Sequence, residues 1–344
     1  MKILHYISSF NIGGIETMLV NLVNLQVKKH EVGILILTNN INNSLVERVD
    51  SRVKLYKIGK PVGSKNLFYI IRAFWKYRKF NPDVFHFHDH NAAKFFLYKG
   101  NKEKRFATIH NVIPTKWNKT IDEYIAISNC VKEGFLKQTG KDNCIVFYNG
   151  IDLTSFICKK QYNERPQKFL SIGRLYPSKG MDIVINAFAL IKEEEPDTGV
   201  TLDIWGEGQE RESLERLIEE KGLTDTVKLR GNVNSDYVEK HISDFDCVIQ
   251  ASRHEGFGLT AIESMASGVP TILSNIDGYA EVSKNGMYSF LFEADNEKEL
   301  KKAVISLGED YSSAVRLASL AKQYVFENYS IITLDRNLDN LYRR

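Results

Sequence analysis

Apolar residues fall along this chain in short β-rich runs separated by longer stretches of helical spacing. KILHYIS (2–8) precedes an amphipathic pattern from about Ile15 to Lys29. VGILIL, VKLYKI, a second helical pattern near 66–80 and then DVFHFH follow. FATIH, EYIAIS and NCIVFY continue the alternation. Strands alternating with helices of this length predict βαβ units and parallel sheets, with the functional residues in loops that follow strands.

After NGID (149–152) the period lapses across a polar stretch, roughly 154–167, and restarts with KFLSIG, LDIWG, TVKLRG, DCVIQA and VPTIL. The pattern predicts two Rossmann-like α/β domains, 1–158 and 159–328, that face each other across a ligand-binding cleft. Spacing from about Asn296 onward is helical, ending in a helix at about 329–344. A chain of 344 residues fits two domains better than one core.

Composition narrows the class. With 43% hydrophobic and 26% charged residues and no apolar run near the roughly 18 residues of a spanning helix, a soluble globular protein is expected. MKILHYISSFNIGG reads as a first strand and glycine turn, not a secretory leader, so a cytoplasmic location is expected. Cys130, Cys144, Cys158 and Cys247 form no CxxC pair, which argues against a zinc site or a disulfide framework. Charge is uneven. Up to Cys158 there are 23 Lys and Arg against 12 Asp and Glu, and beyond it 23 against 31, giving +11 and −8. A basic first half suits an anionic membrane surface or a phosphorylated substrate; no nucleic acid is expected.

The chemistry-bearing residues cluster after strands. NIGGIET places Gly13 and Gly14 where backbone can approach a ligand and a helix N-terminus can meet an anion. SIGRLYPSKG sets Arg174 and Lys179 five apart on a strand-to-helix loop, a pair suited to a diphosphate and to stabilising it as a leaving group. IWGEGQER is not a dinucleotide fingerprint, because Arg211 stands where the third glycine would, so Gly206 and Gly208 read as a turn opening a helix near Gln209. In RHEGFGLTAIESMASGVP, Glu255 follows a strand and Gly256 and Gly258 make a turn. A helix from about Leu259 carries Glu263 and ends at Gly268. Two carboxylates beside a glycine turn can accept from the diols of a nucleotide sugar while its N–H groups meet oxygens of the donor.

These residues resemble the retaining glycosyltransferases of family 4, which have the GT-B fold. The E-x7-E pair is Glu255 and Glu263, the G-R-x-x-x-x-K-G loop is GRLYPSKG, and GGIE, TIH, AIS, NGID, WGEG and LRGNV stand in the family's order. The resemblance implies transfer of a hexose-type sugar from a UDP- or GDP-sugar, without metal, to a saccharide or lipid-linked saccharide. It further implies that Arg174 and Lys179 hold the diphosphate, with Gly13 and Gly14 approaching it from the first domain. Glu263 would hold the ribose, and Glu255 with the backbone of Gly256, Phe257, Gly258 and Leu259 the donor sugar. The main chain at Asn232 and Val233 would meet the base, and His110 would lie close to the transferred sugar and the acceptor. Asn111 departs from the aspartate more usual after that histidine. The last helix would return to the first domain, as in relatives.

Two features invite other readings. HFHDH (86–90) would put His86, His88 and His90 on one face of an extended chain, as a metal hydrolase might use them. The run is one residue short of H-x-H-x-D-H, so neutral, hydrogen-bonded histidines lining the cleft are expected. A GT-B epimerase acting on a nucleotide sugar would share the cleft and is the second alternative. KNLFYIIRAFWKYRKF (65–80) mixes Leu67, Ile70, Ile71 and Phe74 with Lys65, Arg72, Lys76, Arg78 and Lys79, a pattern for an anionic lipid surface or for a sheet-covering helix.

Overall fold

The computed structural model describes every residue except Ile12, 112–116 and 197–198. The chain divides into two compact units, Met1–Asp152 with Tyr329–Arg344, and Leu153–Asn328.

The first unit runs β1 (Lys2–Ile7), α1 (Gly14–Gln26), β2 (Glu31–Thr38), α2 (Asn43–Glu47), β3 (Lys54–Lys60), α3 (Phe68–Phe80), β4 (Val84–Phe87), β5 (Lys104–Ile109), β6 (Glu123–Ala126), α4 (Asn129–Thr139) and β7 (Cys144–Val146). The strands form one parallel sheet in the order β3-β2-β1-β4-β5-β6-β7. The order reverses between β1 and β4, the place where successive crossovers in a parallel sheet run to opposite sides. β1 and β4 are in register at His5 and His86, which places the imidazoles of two distant segments side by side. The inner strands are buried along nearly their whole length, as a sheet covered on both faces requires.

The second unit runs β8 (Lys168–Ile172), α5 (Met181–Glu194), β9 (Thr201–Trp205), α6 (Arg211–Glu220), β10 (Val227–Gly231), α7 (Ser235–His241), β11 (Cys247–Gln250), α8 (Leu259–Ala266), β12 (Thr271–Ser274), α9 (Asp277–Val282), β13 (Phe290–Phe292), α10 (Glu297–Glu309) and α11 (Tyr311–Asn328). Its sheet order, β10-β9-β8-β11-β12-β13, reverses between β8 and β11. Phe169, Val184, Phe188, Leu202, Ile204 and Ile249 belong to its main core.

The last helix, α12 (Ile331–Arg343), belongs to the first unit. Ser330 caps it by accepting from the N–H of Ile332, and Leu334, Leu338, Leu341 and Tyr342 pack with Met18 and Leu22 of α1. Gly150 makes this return possible, because a Cβ there would lie 2.5 Å from Cα of Ile331. Two helices are a little shorter than the sequence expectation: α1 stops at Gln26, not Lys29, and α6 begins at Arg211, not Gln209.

Candidate active site

In the second unit, Arg174, Lys179 and Glu255 lie on the loops after β8 and β11, the two strands that flank the reversal of strand order, with Glu263 on α8 and Asn232 and Val233 after β10. The β8 loop turns through Pro177–Lys179 and meets α5 at Gly180, whose φ of +64° and contact with the Ala251 carbonyl exclude a side chain. Lys179 donates to Glu255 of the β11 loop, and both side chains are about one-fifth exposed. Arg174 is exposed, its guanidinium 5.3 Å from the ring centre of Tyr176.

Gly258 caps α8 with φ +93°, where a Cβ would collide with the Tyr279 ring. The first backbone bonds of α8 are made by Ala261 and Ile262 to the Gly258 carbonyl, so the N–H groups of Leu259 and Thr260 precede the helical ladder. Tyr279 is held under the turn by Ser252 at 3.0 Å, and Gly278 sits where a Cβ would lie 2.4 Å from the Glu255 carbonyl. The E-x7-E carboxylates have different surroundings. Glu263 is half-buried in α8, and burial first and the Glu239 charge second push its pKa up to about 8. Glu239 comes from α7, the helix that follows Asn232 and Val233. Those two residues line an open groove of about 570 Å³ with Trp205, Arg230 and Tyr237.

Two contributions were not legible beforehand. Arg253 forks onto Asp182 of α5 at 2.7 and 3.0 Å and reaches Asp295 at 2.7 Å, while its own N–H meets the Ser178 carbonyl at 2.9 Å. It thereby ties the Lys179 loop to the Glu255 loop. Gly206 and Gly208 do more than open a turn: Cβ atoms there would lie 1.8 and 2.3 Å from the carbonyls of Gly173 and Leu175, so they let the β9 loop press against the Arg174 backbone. An arginine next to the motif was the available signal for the first; nothing local signals the second.

In the first unit, Gly13 and Gly14 follow β1, and His110 follows β5. Gly13 is extended and precedes α1, whose ladder begins with the Thr17 N–H on the Gly13 carbonyl at 3.0 Å. HFHDH does not gather its three imidazoles. His86 and His88 stack at 4.6 Å, but the strand ends at Phe87 and His90 opens a 3-10 turn beside Asn91. His5 takes the third place: among the described residues His5, His86 and His88 bring ligand nitrogens within 4.8 Å of one another. Those nitrogens are engaged. His86 bonds Tyr342 at 2.5 Å and Thr108 at 2.7 Å, and His5 bonds Gln26 at 2.8 Å and His88 at 3.0 Å. Burial lowers the pKa of all three, and their bonding partners include no carboxylate to offset a dication.

Each unit is thus a Rossmann-like domain carrying its notable residues at its own strand ends, and the two in one chain define the GT-B fold. The solved structure of Anabaena HepE in complex with UDP-glucose matches with a TM-score of 0.84 and 20% identity, covering 99% of each chain. The chain belongs to the glycosyltransferases: residues 12–155 match the model described as Glycosyltransferase Family 4, and residues 155–324 the one described as Glycosyl transferases group 1. An uncharacterized glycosyltransferase of Methanocaldococcus jannaschii is 28% identical over 64% of this chain and 60% of its own. The poly(ribitol-phosphate) alpha-N-acetylglucosaminyltransferase of Staphylococcus aureus is 25% identical over 76% of this chain and 53% of its own. The chain therefore matches little more than half the length of these relatives.

Proposed function

We propose that this protein moves a hexose-type sugar from a nucleotide diphosphate sugar to an acceptor hydroxyl with retention of anomeric configuration. The observation that carries the reading is the meeting of Lys179 and Glu255 from two different loops at the strand-order reversal, beside the Gly258 cap of α8. Arg174 and Lys179 hold the diphosphate. Glu263 takes the ribose diol. Glu255 and the backbone from Gly256 to Leu259 take the donor sugar, and Asn232 and Val233 meet the base at the mouth of the groove.

Chemistry follows from charge. As the glycosidic bond to the diphosphate breaks, the two cations and the helix N-terminus stabilise the leaving oxygens while the sugar becomes oxocarbenium-like. The acceptor hydroxyl enters on the face the diphosphate leaves, beside His110, and its proton passes to a diphosphate oxygen. No protein nucleophile and no metal is required. Closure around the donor would keep out water that otherwise hydrolyses it.

A saccharide or lipid-linked saccharide acceptor in surface polysaccharide or glycolipid assembly is supported by α3. Leu67, Phe68, Ile71 and Trp75 are each more than half exposed on it, between Lys65, Arg72, Lys76 and Lys79. Among the described residues no helix is long and apolar enough to cross a membrane, and an apolar stripe bordered by lysines suits peripheral contact with anionic lipid. The test is a thermal-shift screen against UDP, GDP and their sugars, followed by transfer assays with the donor that stabilises. Stabilisation by one nucleoside diphosphate, and turnover that needs an acceptor and survives a chelator, is expected. Turnover without acceptor would make the protein an epimerase, and loss to a chelator with no effect of Glu255→Ala would make it a metal enzyme on the histidines.

A further inference from the structure

Four buried side chains in the first unit form a line. Gln26 of α1 meets Nε2 of His5 at 2.8 Å, Nδ1 of His5 meets Nε2 of His88 at 3.0 Å, and Nδ1 of His88 meets Nε2 of His110 at 3.4 Å. All four are at most 7% exposed, and the rings of successive histidines lie nearly parallel. At the far end, Nδ1 of His110 is buried and has no partner among the described residues.

A neutral imidazole carries one N–H and one lone pair, so fixing one nitrogen fixes the other. Burial, with no carboxylate among their hydrogen-bond partners, keeps these rings neutral, with His5 lowered to about 4 and His110 to about 3. The amide oxygen of Gln26 faces His5 and can only accept, so His5 donates from Nε2 and accepts at Nδ1. His88 must then donate from Nε2 and accept at Nδ1, and His110 donates from Nε2. His86 stands apart from this line, bonding the Tyr342 hydroxyl through Nδ1 and the Thr108 hydroxyl through Nε2. The opposite polarity would leave a buried N–H of His110 unpaired, and buried donors without partners are rarer than acceptors in that state.

We propose that Gln26, His5 and His88 form a positioning relay that holds His110 as its Nε2–H tautomer and presents the Nδ1 lone pair to a hydroxyl of the sugar or acceptor. This rests on the reading of His110 as a residue beside the transferred sugar. The ligand group at Nδ1 is a hydroxyl that donates, so a carbonyl or carboxylate oxygen in that place is refused. Gln26, His5 and His88 touch no substrate and act through His110.

The relay can be read without substrate, by long-range proton–nitrogen NMR on the full chain with 15N-labelled histidine at neutral pH, with His110 assigned by His110→Gln. A bare Nδ1 and a protonated Nε2 are expected for His110 in the native protein, and the reverse pattern overturns the proposal. In Gln26→Leu, His110 should sample both tautomers and turnover should fall about fivefold, the worth of one hydrogen bond, with donor KM unchanged. An unchanged His110 spectrum in that variant also overturns it. Where Gln26→Leu fails to fold, the native spectrum alone decides. Failure of the reading that places His110 beside the transferred sugar would show instead as a fully active His110→Ala variant, whatever the spectrum.

Discussion

The ammonium of Lys179 is bonded to the carboxylate of Glu255, across the two loops that flank the strand-order reversal of the second sheet. The cation assigned to the diphosphate is thus neutralised by the carboxylate assigned to the sugar. A donor must separate them. Glu255→Gln is therefore expected to tighten binding of the bare nucleoside diphosphate several-fold while slowing sugar transfer. Lys179→Ala should weaken the diphosphate by about tenfold or more, the range of a charge-assisted hydrogen bond, and leave the nucleoside unaffected. Titration calorimetry with nucleoside and diphosphate separates the outcomes. Equal losses for both ligands in Lys179→Ala would refute the phosphate role.

Arg253 is expected to set the geometry of that pair. Its guanidinium forks onto Asp182 and reaches Asp295, and its backbone meets Ser178, one residue before Lys179. Lysine cannot reproduce the fork. Arg253→Lys should lower the melting temperature modestly and reduce kcat in assays run well below that temperature. A variant with lower Tm but native kcat would show that the arginine only fastens the fold.

The strand alternation made both sheets legible, and the loops after β8 and β11 could be picked out because Arg174, Lys179 and Glu255 are unusual residues at strand ends. What stayed hidden depends on neighbours far apart in the chain. Arg253 stands in a quoted motif, but its partner Asp182 lies 71 residues away. His5 reads as one more residue of an apolar strand until the register of β1 with β4 sets it beside His86, and Tyr342 joins that cluster from 256 residues further on. In HFHDH the extended conformation that would align all three imidazoles stops before His90. Glu255 and Glu263 stand in one motif, yet one is paired with a lysine and the other is burdened by Glu239.

That burden predicts a pH effect in the second unit. Burial and Glu239 raise the Glu263 pKa to about 8 from the ordinary 4.5. The folded state therefore holds this proton more tightly than the unfolded one. The stability it contributes is complete below pH 4.5 and is lost as pH rises to about 8, in total a few kcal/mol. Glu263→Gln, which cannot ionise, should melt higher than the native protein above pH 8 and show no such gain below pH 4.5. Parallel melting curves across the whole range would contradict the half-buried, proton-holding carboxyl.

The exposed stripe on α3 gives a direct optical test. Trp75 is 69% exposed and shares its face with Phe68 and Ile71. With vesicles containing phosphatidylglycerol, Trp75 emission should shift to the blue, and salt should reverse the shift, because Lys65, Lys76 and Lys79 supply the attraction. With neutral phosphatidylcholine vesicles little change is expected. An identical response in Trp75→Ser would assign the signal to another tryptophan and remove the support for this surface.

Acid should act first on the unit that carries the histidine line. His5 is lowered to about 4 and His110 to about 3 by burial, and His86 and His88 lie well below the ordinary 6.5 for the same reason. In the unfolded chain each regains its ordinary value, so below pH 6.5 the unfolded state binds more protons than the folded one. The sign follows: the stability these neutral rings permit is fully present above pH 6.5 and drains as pH falls toward 4, by on the order of 3 kcal/mol for His5 alone. Glu263 pushes the other way, so the two units should part as pH drops through that window, with the first melting earlier. Calorimetry between pH 7 and 4 should resolve two transitions, the lower one accompanied by proton uptake. His88→Phe should flatten the pH dependence of that lower transition, and a first transition whose position does not move with pH would mean that the rings are not held neutral.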